Sequence, residues 1–99
     1  MVPLSRATHE RVALLFDDVA AATEALETEC GDALPMQEHA TPESLERIRF
    51  AALKLSGGTL EGLAEAIRLA KTDWRDLLVA ADFADDVEAH LAWMPPPRR

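Results

Sequence analysis

The chain has 99 residues, 48% of them apolar, enough for a single domain with one core that needs neither disulfides nor metal. Its formal charge of −8 excludes a broad nucleic-acid footprint, which rests on clustered Lys and Arg. The lone cysteine, Cys30, excludes an internal bridge and fits a reducing compartment.

The first periodic segment runs from Ser5 or Thr8 to Cys30. Val12, Leu15, Phe16, Val19, Ala22 and Leu26 recur at helical spacing, so one long helix is expected, with either residue as N-cap. Gly31 suits the left-handed position that closes it. Glu10, Arg11, Asp17 and Asp18 interrupt any export signal. No run reaches the roughly 18–20 apolar residues that span a bilayer, so a cytoplasmic protein with no membrane partner is expected.

Residues 31–41 read as a loop, with Pro35 opposing helix at Leu34. A second helix then starts on Thr41 as cap, Pro42 at the first helical position and Glu43 in the first turn. Leu45, Ile48, Ala51, Ala52 and Leu55 form its stripe, and Ser56-Gly57-Gly58 ends it. Thr59 caps the third helix, whose face holds Leu60, Leu63, Ala64, Ile67 and Ala70. Thr72 or Asp73 marks a break, after which Trp74, Leu77, Leu78, Ala81 and Ala84 give a fourth stripe. Asp85 and Glu88 resemble a capping box for a last short stripe of Val87, His90, Leu91 and Met94, stopped by three prolines. No alternating run bounded by turns predicts a strand. The expected fold is all-α, a compact bundle of four to five helices over residues 1–94, with 95–99 as a proline-rich basic tail.

Charge is unevenly distributed. No Lys or Arg falls between Val12 and Glu46, cations outnumber acids from Arg47 to Arg75, and Asp76 to Pro97 again holds acids alone. Such blocks permit pairing within the fold, across a dimer or with a basic partner. Solvated, solubilising helix faces are the blander reading.

Phe50, Leu53, Leu69, Val79 and Phe83 lie off the main stripes. Either the central helices are buried on two sides, making these residues core, or they mark a subunit or partner interface. With Asp17 and Glu24 on the acidic block, they form the candidate interaction surface.

Candidate chemistry is sparse. His9, His39 and His90 match no His-Glu-x-x-His or Glu-x-x-His spacing. Asp86 and His90 are four apart, which allows an ion pair or half a metal site. Cys30 at a helix C-terminus among Glu27, Glu29 and Asp32 predicts an inert thiol. Asp17-Asp18 and Asp85-Asp86 are adjacent, so on a helix they diverge by about 100° and cannot share a substrate. Gly57-Gly58 lacks the strand and lysine of a phosphate loop. In a helix-turn-helix reading, Asp73-Trp74-Arg75-Asp76 would bring two carboxylates to the groove. No catalytic residue, metal or cofactor is expected. Trp74 and Trp93 read as core, Trp93 clamping the last helix.

Three stretches, Ile48-Arg49-Phe50-Ala51-Ala52-Leu53-Lys54-Leu55-Ser56, residues 70–81 around Asp73-Trp74-Arg75-Asp76, and Asp86-Val87-Glu88-Ala89-His90, resemble a group of short bacterial helical proteins of uncharacterised activity sharing the pattern (I/V)RFAALKLS…AKxDWRDLLVAA…DVxAH. The resemblance implies a bacterial, standalone helical protein and brings no catalytic residues.

The leading expectation is a non-catalytic protein acting through a protein partner or as a homo-oligomer, with no nucleic-acid role. A sharper variant is an acidic antagonist, immunity- or antitoxin-like, of a basic partner. The alternative class is a small-ligand binder or enzyme, with a site between helices three to five near Asp86 and His90.

Overall fold

A computed structural model describes residues 2–31, 34–36 and 41–95 of the chain. These residues form four α-helices and a 3-10 turn: α1 (Arg6–Leu15), α2 (Val19–Glu29), α3 (Pro42–Ser56), α4 (Leu60–Ala80) and the turn Ala89–Ala92. The fold is an all-α bundle, with no strand among the described residues. No helix among them is long and apolar enough to cross a membrane. His39 and the tail beyond Pro95 lie outside the described residues.

The scaffold is the hairpin of α3 and α4, with α1 against α3, α2 against α4, and the 3-10 turn on α3. Its start follows from chemistry: the Thr41 hydroxyl accepts the Ser44 amide at 3.1 Å, with Pro42 in the first turn. Its reversal requires glycine, since Gly57 and Gly58 have φ of 64° and 84°. Thr59 then caps α4 through the Gly62 amide at 3.0 Å. The expected break falls at Asp73, whose φ of −158° is extended and whose Oδ1 accepts the amides of Arg75 and Asp76 at 3.1 and 3.2 Å. It ends one helical stretch and caps the next.

Two expectations about helix extent fail. The long helix to Cys30 is two helices, because Phe16 adopts an extended conformation and Asp18 Oδ1 caps α2 through the Ala21 amide at 3.0 Å. Phe16 stays buried, whereas Val19 is turned out to solvent. The fourth helical stretch ends at Ala80, so that Ala81 is still buried but Ala84 is exposed. There Asp82 takes the left-handed conformation (φ 67°), its amide donating to Val79 O at 3.1 Å and that of Phe83 to Leu78 O at 2.9 Å. This is a Schellman closure with an aspartate in place of glycine.

Gly31 is not left-handed; it is closely packed instead, a Cβ there meeting the side chains of Val2 at 3.1 Å and Arg49 at 3.2 Å. No capping box forms at Asp85 and Glu88. Instead Asp86 Oδ1 accepts the Glu88 amide at 2.9 Å.

The off-stripe question resolves by position. Phe50, Leu53 and Phe83 are buried within the single chain, as the core alternative has it. Leu69 is partly buried against the core, and Val79 is exposed. α3 buries Ile48, Phe50, Ala51, Ala52 and Leu53 together, so it is enclosed on several sides, while Leu55 faces out.

Candidate functional site

The basic middle of the sequence does not meet the acidic blocks as its main partners. Three of its cations, Arg47, Arg49 and Lys54, are turned to backbone carbonyls. Arg49, buried on α3, donates from Nε to Cys30 O (2.8 Å), from Nη1 to Pro3 O (3.0 Å) and from Nη2 to Val2 O (2.6 Å) and Leu26 O (3.4 Å). It closes the C-terminus of α2, where partial negative charge collects, and ties the N-terminal segment to it.

Two turns of α3 do the same for the chain after α4. Arg47 Nη2 donates to the carbonyls of Phe83, Ala84 (3.2 Å) and Asp86 (3.4 Å). Lys54 Nζ donates to Ala81 O at 2.8 Å and sits 4.9 Å from the Phe83 ring centroid. From α1, buried Arg11 donates to Trp93 O at 3.1 Å and Ala7 O at 3.0 Å, and lies 4.2 Å over the Phe50 ring. Each spacing follows from helix geometry: Arg47 and Lys54 are seven residues apart on one face.

The remaining cations of the described residues divide differently. Arg6 pairs with Glu10 at 3.7 Å and Lys71 with Glu29, Arg75 stacks 4.6 Å over Trp74, and Arg68 is exposed. The exposed residues therefore carry many more carboxylates than available cations. Asp17, between α1 and α2, and Glu24, on α2, are both exposed.

His90 and Asp86 do not work together. His90 is buried, its ring 5.1 Å from that of Phe50 and 6.3 Å from that of Phe83, both edge-on. Burial holds its pKa below the usual 6.5, against the pull of Glu46, with Arg47 and Arg11 adding to the depression. Its Nδ1 and the Nε of Arg47 are buried without a hydrogen-bond partner. Asp86 is exposed and spends Oδ1 on its own turn. Trp93 joins the same aromatic cluster, 6.3 Å from Phe50 and 6.5 Å from Phe83, which is the clamping role expected of it. Among the described residues no three His, Cys, Asp or Glu side chains converge as metal ligands.

Cys30 is a free, buried thiol pushed up to about 12. The direction agrees with the expected inertness; the cause is burial, and Arg49 and Lys71 work against it.

A cavity of about 410 Å³ lies between the N-terminal segment and α3, lined in part by Val2, Leu4, Ser5, Thr8, Leu45 and Glu46. Its polar groups engage one another: Ser5 Oγ donates to Glu46 Oε1 at 2.6 Å and lies 2.9 Å from Thr8 Oγ1. The expected ligand site near Asp86 and His90 lies elsewhere in the sequence. No sequence signal marked this cavity, since Ser5 and Glu46 are 41 residues apart.

No protein family, no curated protein and no solved structure matches the chain.

Proposed function

We propose that the protein is a non-catalytic contact domain that binds a basic protein partner through its acidic exterior. The observation that carries this reading is the commitment of Arg11, Arg47, Arg49 and Lys54 to backbone carbonyls, with Arg11 and Arg49 buried. The exposed residues therefore hold more carboxylates than cations, and the field around the domain is negative. Such a field steers a basic partner and repels nucleic acid. An immunity- or antitoxin-like antagonist is one form this role takes. A bacterial, cytoplasmic setting belongs to the same proposal, supported by the free Cys30 and by the sequence pattern around Arg49 and Trp74.

The test is capture from native lysate with wild-type protein and with Asp17→Lys/Glu24→Lys. Basic proteins held at low salt and released by charge reversal or added salt are expected. A recovered set indifferent to both counts against the acidic-contact role.

A small-ligand role has one observation in its favour, the 410 Å³ cavity beside Glu46, a volume within the usual range for ligand pockets. A rise in melting temperature with any member of a fragment collection, abolished by Leu45→Trp, would support it.

A further inference from the structure

The last described stretch of chain is two-faced. Its inner residues, His90 and Trp93, pack into the aromatic cluster with Phe50 and Phe83. Its path is fixed by cations donating to main-chain oxygens at both ends, Lys54 and Arg47 before the 3-10 turn and Arg11 after it. A segment so anchored has no need of apolar residues on its other side. Yet Val87, Leu91 and Met94 are 69%, 53% and 50% exposed. On an α-helical stripe they share one buried face with His90; here only Ala89–Ala92 is helical, as a 3-10 turn, and of these four residues His90 alone is buried. Single exposed apolar residues are ordinary, whereas here three large ones fall within residues 87–94 of one anchored segment.

The charges around this patch select its occupant. Asp82, Asp85, Asp86 and Glu88 are exposed in the same segment, and no Lys or Arg occurs from Asp76 to Pro95. The cations that reach the segment point into carbonyls. A two-fold contact between copies would set these carboxylates against themselves. Anionic lipid and nucleic acid meet the same repulsion. An amphipathic helix with apolar anchors at i, i+3, i+4 and i+7 and Lys or Arg along its flanks satisfies both the patch and its rim.

We infer that the outer face of this segment, Val87, Leu91 and Met94 within a rim of Asp82, Asp85 and Glu88, docks a basic amphipathic helix of a protein partner. The inference rests on the acidic-contact role proposed above and names its surface. The rim sets approach and orientation, and the apolar patch supplies the buried contact that retains the partner.

The experiment is a titration of the isotope-labelled full chain with three synthetic peptides, followed by amide chemical shifts. One peptide is an amphipathic helix with Leu on one face and Lys on the other. The second keeps the Lys and replaces Leu by Ser; the third keeps the Leu and replaces Lys by Glu. The Leu/Lys peptide is expected to shift the amides of residues 85–94, and the other two to bind at least tenfold more weakly. Leu91→Asp and Val87→Asp, at solvent-facing positions that leave the far-ultraviolet circular dichroism unchanged, should each weaken the Leu/Lys peptide about tenfold or more. Asp85→Lys/Glu88→Lys should weaken it and flatten its salt dependence. Shifts confined to the Asp17 and Glu24 side overturn the docking surface while leaving the acidic-contact role standing. Equal binding of the Glu peptide, absence of binding, or a concentration-dependent dimer that buries Leu91 also overturns the docking proposal. Salt-released capture of basic proteins that survives Leu91→Asp does the same and keeps the broader role.

Discussion

Replacing Arg49 by methionine removes the main inward cation while keeping a long apolar stem at its site. The contribution of its four carbonyl partners among the described residues can be worked out. Leu26 O keeps the Cys30 amide at 3.0 Å, so its loss is small. Cys30 O is engaged at a buried site, and an orphaned buried acceptor costs about 1–3 kcal/mol. Pro3 O and Val2 O are part-buried and recover some hydration, so about 0.5–1 kcal/mol each is appropriate. The sum is about 3 kcal/mol, a large share of the roughly 5–15 kcal/mol that holds a small domain together. For a chain of this size that corresponds to a fall of roughly 12–24 °C in melting temperature. Urea unfolding followed by circular dichroism measures it, with Arg75→Met as the comparison: Arg75 is exposed and stacked on Trp74, so about 0.5–1 kcal/mol is expected there. An Arg49→Met loss below about 1 kcal/mol would refute the view that this cation serves as a carbonyl anchor.

Three further predictions follow from local geometry. His90 is depressed in the fold, so below pH about 6.5 the unfolded chain binds more protons than the folded one, and stability falls as pH drops through that window; urea midpoints of wild type and His90→Gln at pH about 7.5 and about 5 should diverge, the variant losing less. Asp82→Gly relieves a left-handed aspartate and should raise stability by roughly 0.5–1 kcal/mol, read as a higher melting temperature. Gly62→Ala, normally favourable inside a helix, should instead destabilise by about 2 kcal/mol or more, because a Cβ there would sit 2.1 Å from Ser56 O; chemical denaturation distinguishes the signs.

The parts of the fold legible in the sequence are those where one residue type has one physical use. Thr41-Pro42-Glu43 starts a helix, Gly57-Gly58 reverses the chain, and Asp73 breaks and restarts α4. The break at Phe16–Asp18 was hidden because apolar spacing continues through it, and Asp18 caps only once Phe16 has turned to extended backbone. The stop after Ala80 was hidden because Asp82 does the work of glycine. At the site, the uneven charge was visible, but its use was not. Whether Arg47 and Arg49 meet carboxylates or carbonyls depends on which chain ends α3 packs beside, and those partners lie 19 to 47 residues away in sequence. Likewise the α-helical stripe of Val87, His90, Leu91 and Met94 does not form, because only Ala89–Ala92 is helical there, as a 3-10 turn.

The role of the acidic exterior is most directly tested by quantitative capture from lysate at low and raised salt, with wild type, Asp17→Lys/Glu24→Lys, Asp85→Lys/Glu88→Lys and Leu91→Asp in parallel. Recovery of a basic protein that is released by salt and lost on at least one charge reversal, with folding unchanged, is the predicted result. Recovery that is equal across all four proteins and insensitive to salt, or a partner that is itself acidic, would contradict it.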